Sequence, residues 1–388
     1  MARRESAVWQ EKGAPAKCSL AAAILAAFLS LGAVGCASAP RLARGVDATK
    51  VRSAPMEAGP VWVAQATWDL RERHLVAADP VAGAVFVFDR EGRIVRRLVR
   101  PGQGPLDLPR PVYPFVVGDR FLIAANFYRW VWLDKDFIPV DSMLLKWEDP
   151  KDAEYRQLFL FAFDAGVTRF MGVGQVQSHD LTWSGTAMFA VPFNNPGQLE
   201  NLGSIEADSD ESAAYHSYPS KVAACGDEVY LLRMAARLEI ERFGDSPGIS
   251  PGTLKSFPEA FRQRPVLPML FCGPSLPERE AAKAVARIAE GLLCLEDRWL
   301  LLLAHQPRAD GGTQWLVYPV DPVADALGEA IELPTRAAEI VFVAGKKRWA
   351  VLEKSPMRQV GDQLRQVGDQ PLTRVITFPR PELTFPRR

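Results

Sequence analysis

The chain has 388 residues, 48% of them hydrophobic and 24% charged, with 46 Lys+Arg against 46 Asp+Glu. That is enough apolar material for one large or two ordinary domains. The absence of net charge and of any basic block excludes the electrostatic footprint of a nucleic-acid-binding protein. The five cysteines (18, 36, 225, 272, 294) have neither a C-x-x-C pair nor zinc spacing, and the four histidines (74, 179, 216, 305) lie far apart.

The first element is a targeting segment. Arg3, Arg4, Lys12 and Lys17 outweigh Glu5 and Glu11, and the apolar run Leu20–Val34 leads into Gly35-Cys36-Ala37. A basic start, a short apolar core and a small-residue exit predict a signal peptide over 1–35. The run is shorter than the ~20 residues of a bilayer span. Ala33-Val34-Gly35-Cys36 resembles a bacterial lipobox, with Ala33 where leucine is usual. The resemblance implies cleavage before Cys36 and acyl chains on Cys36, which would hold the protein at a membrane face in the cell envelope. With Ala37 rather than Asp after the cysteine, it also implies no retention at the inner membrane. The alternative is an ordinary signal peptide cut near Ala37-Ser38-Ala39. Residues 36–59, rich in Ala, Arg, Pro and Ser, read as a flexible tether.

From residue 60 to 388 short apolar runs recur, bounded by Gly, Asp and Pro. The clearest stretch is 75–117, where Leu75–Ala78, Val85–Phe88, Arg93–Val99 and Val112–Val117 read as antiparallel strands. One landmark, an aromatic or β-branched strand ending near a polar turn, occurs six times: 85–89, 130–134, 188–193, 238–243, 315–321 and 374–378. Each has two apolar runs before it. The weaker, charge-mixed runs 93–99, 138–145 and 330–333 suit outer strands. Three strands plus an outer fourth, six times over, predict an all-β six-bladed propeller. A β-sandwich or two β domains is the alternative. The sixth blade lacks an outer strand at the C-terminus, and the segment around Lys50–Ser53 is the expected donor. Residues 274–290, PSLPEREAAKAVARIAE, predict one short inserted helix. The tandem RQVGDQL/RQVGDQP within 355–373 predicts a long hairpin loop.

Residues 75–145 resemble NHL/TolB-like six-bladed propellers. The resemblance is carried by Val85–Asp89, the Gly92 turn and the linker GQGPLDLPRP (102–111), which is similar to the G-x-G-P-acidic-apolar-x-x-P join between blades in lipoproteins of this class. It implies a fold more than an activity. MEAGPVW (56–62) is similar to the start of gluconolactonase and regucalcin propellers, where a glutamate before Gly-Pro-x-Trp binds a divalent metal. That makes Glu57 a metal candidate, with Ala58 inserted before Gly59 and the family's other ligand motifs absent.

Other chemistry is thin. GDSPG (244–248) and GISPG (248–252) match G-x-S-x-G, but Pro247 and Pro251 follow the serines, and proline lacks the N–H that an oxyanion hole needs. The acidic run 206–211 lacks the glycine and the ligand spacing of a calcium loop. His179 and His216 read as loop histidines. Cys225, Cys272 and Cys294 leave any disulfide pairing open. No catalytic residue and no cofactor are expected. The sequence therefore points to a lipid-anchored envelope module that binds a protein, peptide or glycan, with a metal-dependent lactonase or lyase as the alternative and a structural role in the envelope as a third reading.

Overall fold

The computed structural model describes residues 43–386, except 56–62, 64, 81, 101, 103, 126–128, 145–154, 179–183, 196–199, 206–220, 227, 234–238, 245–251, 263–285, 355–356, 361–362 and 367–372. Two short strands come first, β1 (Arg44–Gly45) and β2 (Arg52–Pro55), separated by a 3-10 turn over Ala48–Lys50. Six antiparallel sheets follow in chain order. Blade 1 is β3 (Gln65–Trp68), β4 (Leu75–Asp79), β5 (Ala84–Phe88) and β6 (Ile94–Val99). Blade 2 is β7 (Pro111–Val117), β8 (Arg120–Ala125), β9 (Arg129–Leu133) and β10 (Pro139–Leu144). Blade 3 has the long strands β11 (Tyr155–Ala165), β12 (Arg169–Ser178) and β13 (Ser184–Pro192), with β14 (Glu200–Ile205) outside them. Blade 4 is β15 (Lys221–Cys225), β16 (Glu228–Arg233), β17 (Glu239–Gly244) and β18 (Gly252–Leu254). Blade 5 is β19 (Ile288–Leu295), β20 (Trp299–Pro307) and β21 (Thr313–Asp321), edged by β22 (Ala326–Leu327) and β23 (Ile331–Glu332). Blade 6 is β24 (Glu339–Ala344), β25 (Arg348–Lys354) and β28 (Thr373–Pro379), with the hairpin β26 (Met357–Val360) and β27 (Gln363–Gln366) inserted before β28.

The period-2 alternation of each strand explains the assembly, because successive side chains leave opposite faces of a sheet. In blade 1, Leu75, Ala77, Phe86 and Phe88 pack toward blade 6. Val76, Val85 and Val87 pack toward blade 2. The same division repeats around the ring, so each of the six seams is one hydrophobic cluster. Strands buried on both faces read as continuous apolar runs, which is why β4 and β5 are buried at every position while β6 is mostly exposed.

The aspartate that ends the recurring landmark closes the turn after the third strand. Asp89 Oδ1 accepts from Glu91 N and Arg93 N, Asp134 Oδ1 from Asp136 N and Ile138 N, and Asp321 Oδ1 from Val323 N and Ala324 N. Such side-chain caps are the reason aspartate favours turns. Gly92 (φ 85°) follows, and an added Cβ would lie 3.0 Å from Val375 of blade 6. In the GQGPLDLPRP linker, Asp107 Oδ2 accepts from Gly104 N at 2.7 Å, and a Cβ on Gly102 would meet that oxygen at 2.1 Å. Leu108, fully buried, then plugs the seam between blades 1 and 2.

The ring closes where expected: β2 pairs antiparallel with β28, Arg52 opposite Thr377 and Ala54 opposite Val375. Within the duplicated segment, Met357–Val360 and Gln363–Gln366 pair as a hairpin, as expected. Two boundaries change. The tether assigned to 36–59 is partly ring, since Arg44–Gly45 runs parallel to β23 and Arg52–Pro55 edges blade 6, with Val46 and Val51 packed on the seam between blades 5 and 6. These pieces are two to four residues long and held by backbone pairing, so they leave no apolar periodicity to read. The helix expected over 274–290 does not include Ile288–Glu290, which open β19; residues 274–285 lie outside the described residues.

Candidate functional site

Because neighbouring strands are antiparallel, the turns after the first and third strands of every blade open on one face, and the remaining connections open on the other. On the first face, a cleft of ≈ 550 Å³ lies at the seam between blades 2 and 3, lined by Val117, Val167, Thr168, Arg169, Pro192, Phe193, Asn194 and Glu200. Val117 ends β7, while the other residues belong to the two turns of blade 3. Gly166 N donates to Arg169 O and Phe193 N to Thr168 O, which locks the two turns side by side.

The walls are mixed. Val167 is 68% exposed at the tip of its turn. Phe193 stands edge-on to Trp132 of blade 2, ring centroids 5.7 Å apart, and so carries the seam's aromatic packing out to the surface. Below it Trp130, Phe163 and Phe170 fill the interior, with Trp130 and Phe170 4.3 Å apart. Arg169 Nη1 donates to Glu200 Oε2 at 3.3 Å, and both side chains are partly covered. One exposed and one half-buried apolar group beside an ion pair, a hydroxyl and a carboxamide suit the recognition of a polar-backboned, apolar-sided ligand.

Three residues before Val167, Asp164 turns the other way, into the seam with blade 4. Its Oδ2 accepts from Ala224 N at 3.0 Å and its Oδ1 from Ala165 N at 2.8 Å. Loss of solvent pushes its pKa up to about 6, although the two N–H donors pull it down. The residue after Ala224 is Cys225, bonded to Cys294 with Cα atoms 5.3 Å apart. This disulfide joins the inner strands of blades 4 and 5 and fixes the pairing that the sequence left open.

Of the residues singled out by sequence, Cys36, Glu57, His179, His216, Cys272 and the acidic run 206–211 lie outside the described residues. Among the described residues no three His, Cys, Asp or Glu side chains gather as a metal requires, and no helix is long and apolar enough to cross a membrane. Gly252 of the second G-x-S-x-G match opens strand β18, where a nucleophile elbow needs a helix. Sequence reasoning missed Asp164, Arg169, Phe193 and Glu200. The available signal was a lone aspartate inside the apolar run LFLFAFDAG, since a carboxylate set among apolar side chains needs donors.

Five four-stranded sheets and one six-stranded sheet, joined through six apolar seams, define a six-bladed β-propeller. No family model matches the chain, and no curated protein matches it. Among solved structures it is similar to a member of the DUF4221 family from Bacteroides vulgatus (10% identity, TM-score 0.53, 85% of this chain and 96% of that one). It also resembles a luciferin-regenerating enzyme (10%, TM-score 0.48, 86% and 97%) and a gluconolactonase from Xanthomonas campestris (13%, TM-score 0.46, 85% and 90%). At such identities likeness speaks to the fold alone, and propellers host enzymes, binders and scaffolds alike.

Proposed function

We propose that this propeller is a lipid-anchored, extracytoplasmic binding module that holds a protein or peptide partner in the cleft between blades 2 and 3. The cleft carries the reading: Val167 and Phe193 offer apolar contacts, and the Arg169–Glu200 pair, Thr168 and Asn194 offer polar ones beside them. The Cys225–Cys294 disulfide supports an oxidising compartment outside the cytoplasm. The basic, apolar and small-residue order of 1–36, ending at Cys36, supports export and a lipid anchor.

A photo-crosslinking residue at Val167 tests the site in intact cells. A discrete adduct is expected there and none from the same probe at Val323 on blade 5. Equal labelling at both positions, or none at either, removes the cleft as the binding site. Cys36→Ala tests the anchor, and unchanged acyl labelling and membrane partition would refute it.

A further inference from the structure

The N-terminal strap of the ring carries charge in a one-sided way. From Ala43 to Pro55 it holds Arg44, Lys50 and Arg52 against a single acid, Asp47. Asp47 is already engaged, accepting from Thr49 N at 3.1 Å and pairing with Lys50 at 3.3 Å. Arg44 and Arg52 are exposed, and among the described residues neither guanidinium has a hydrogen-bond or ion-pair partner. The backbone beneath them is fixed. Arg44 N donates to Ala330 O at 2.9 Å, Arg52 sits in register with Thr377, and Val46 and Val51 are seated on the blade 5–6 seam. Two unpaired cations are thus held on the rims of two adjoining blades.

Chain length says what these groups meet. Seven steps separate Cys36 from Ala43. A fully extended chain covers at most ~3.6 Å per residue, so a lipid on Cys36 lies within about 25 Å of the strap. We infer that the outer rim of blades 5 and 6, through Arg44 and Arg52 with Lys50 beside them, is a second membrane contact that binds the anionic headgroups of the bilayer holding the acyl chains. This inference rests on the proposed anchor at Cys36. The acyl chains fix the chain to the bilayer, and a basic patch beside them adds attraction to anionic headgroups that sets how the ring sits on the surface. Blade 2 lies three places around the six-membered ring from blade 5, so a ring attached by this rim turns the cleft between blades 2 and 3 away from the membrane, toward a soluble or opposing partner.

The test uses the full lipidated chain on vesicles of phosphatidylcholine with and without phosphatidylglycerol, read by amide hydrogen exchange. Exchange over 44–54 is expected to slow several-fold when phosphatidylglycerol is present, and to recover in high salt. Arg44→Ser with Arg52→Ser should abolish the slowing while acyl labelling of Cys36 persists. Slowing that is equal on both lipids, absent on both, or unaffected by the double variant overturns the inference. The salt response of the unsubstituted chain probes the same contact without any substitution, and slowing that persists in high salt overturns it too. Loss of acyl labelling, by contrast, bears on the anchor and not on the strap.

Discussion

The half of the ring formed by blades 4, 5 and 6 and the half around blades 2 and 3 are held by different means. The first is bound by long-range ties. Cys225–Cys294 bridges blades 4 and 5, β1 edges blade 5, and β2 closes blade 6. At the adjoining seam with blade 1, Glu72 accepts from Lys347 N through both carboxylate oxygens, at 2.9 and 3.0 Å. The seam between blades 2 and 3 relies on rings packed face-on and edge-on, Phe115, Trp130, Phe163 and Phe170, and is where the surface opens into a cleft. A seam filled by interdigitated aromatics needs no strap and can leave its rim free. The seams on either side of blade 6 carry apolar clusters too, and the backbone pairing of β1 and β2 and the Glu72 contact add to them where the two chain ends meet.

The largest effect that would break this contrast is at the aromatic seam. Trp130→Ala removes a side chain only 1% exposed and is expected to cost about 3–5 kcal/mol in urea unfolding. A loss below about 1 kcal/mol would mean that the seam is not carried by its rings. Next is the disulfide, whose ends are 69 residues apart. Cys225→Ser with Cys294→Ser should lower stability by about 4 kcal/mol on the loop-entropy relation, and reduction of the unsubstituted protein should match it.

Third is pH. The Asp164 pKa is raised from 3.8 to about 6 on folding, so the folded state holds its proton more tightly than the unfolded chain does. Its stabilisation is complete below pH 3.8 and is lost as pH rises through 6, a change of about 3 kcal/mol. Melting temperatures of Asp164→Asn should therefore rise less than those of the parent as pH falls from 7 to 4, and parallel pH profiles would contradict this. Smaller still is Glu72→Gln, expected to cost about 1–3 kcal/mol by weakening the charge-assisted bonds that the buried Glu72 carboxylate accepts from Lys347 N. The smallest effect on stability is at the cleft. Asn194→Ala, at an exposed position, should change it by under about 0.5 kcal/mol yet reduce crosslinking from Val167, which separates binding from folding.

The blade count, the order of strands and the donor of the sixth outer strand were legible in the sequence, because alternation of apolar side chains reports directly which faces are buried. Val76, Val85 and Val87 against Leu75, Ala77 and Phe86 already encode two seams. The G-x-G-P-acidic linker was legible too, although the reason for its glycines, the approach of Asp107, was not. The helix expected over 274–290 reached too far along the chain because Ile288–Glu290 carries no turn signal to separate it from the alanine-rich stretch before it.

What the sequence determined by itself is therefore local: six repeats, their buried faces and their turn aspartates. Tertiary structure alone decided that Cys225 meets Cys294, that Asp164 reaches Ala224, that the strap covers blade 5 before blade 6, and that Arg169 and Glu200 share a cleft. Burial leaves a period in the chain. Contacts between residues tens to hundreds of positions apart leave none, because they exist only once the ring has closed.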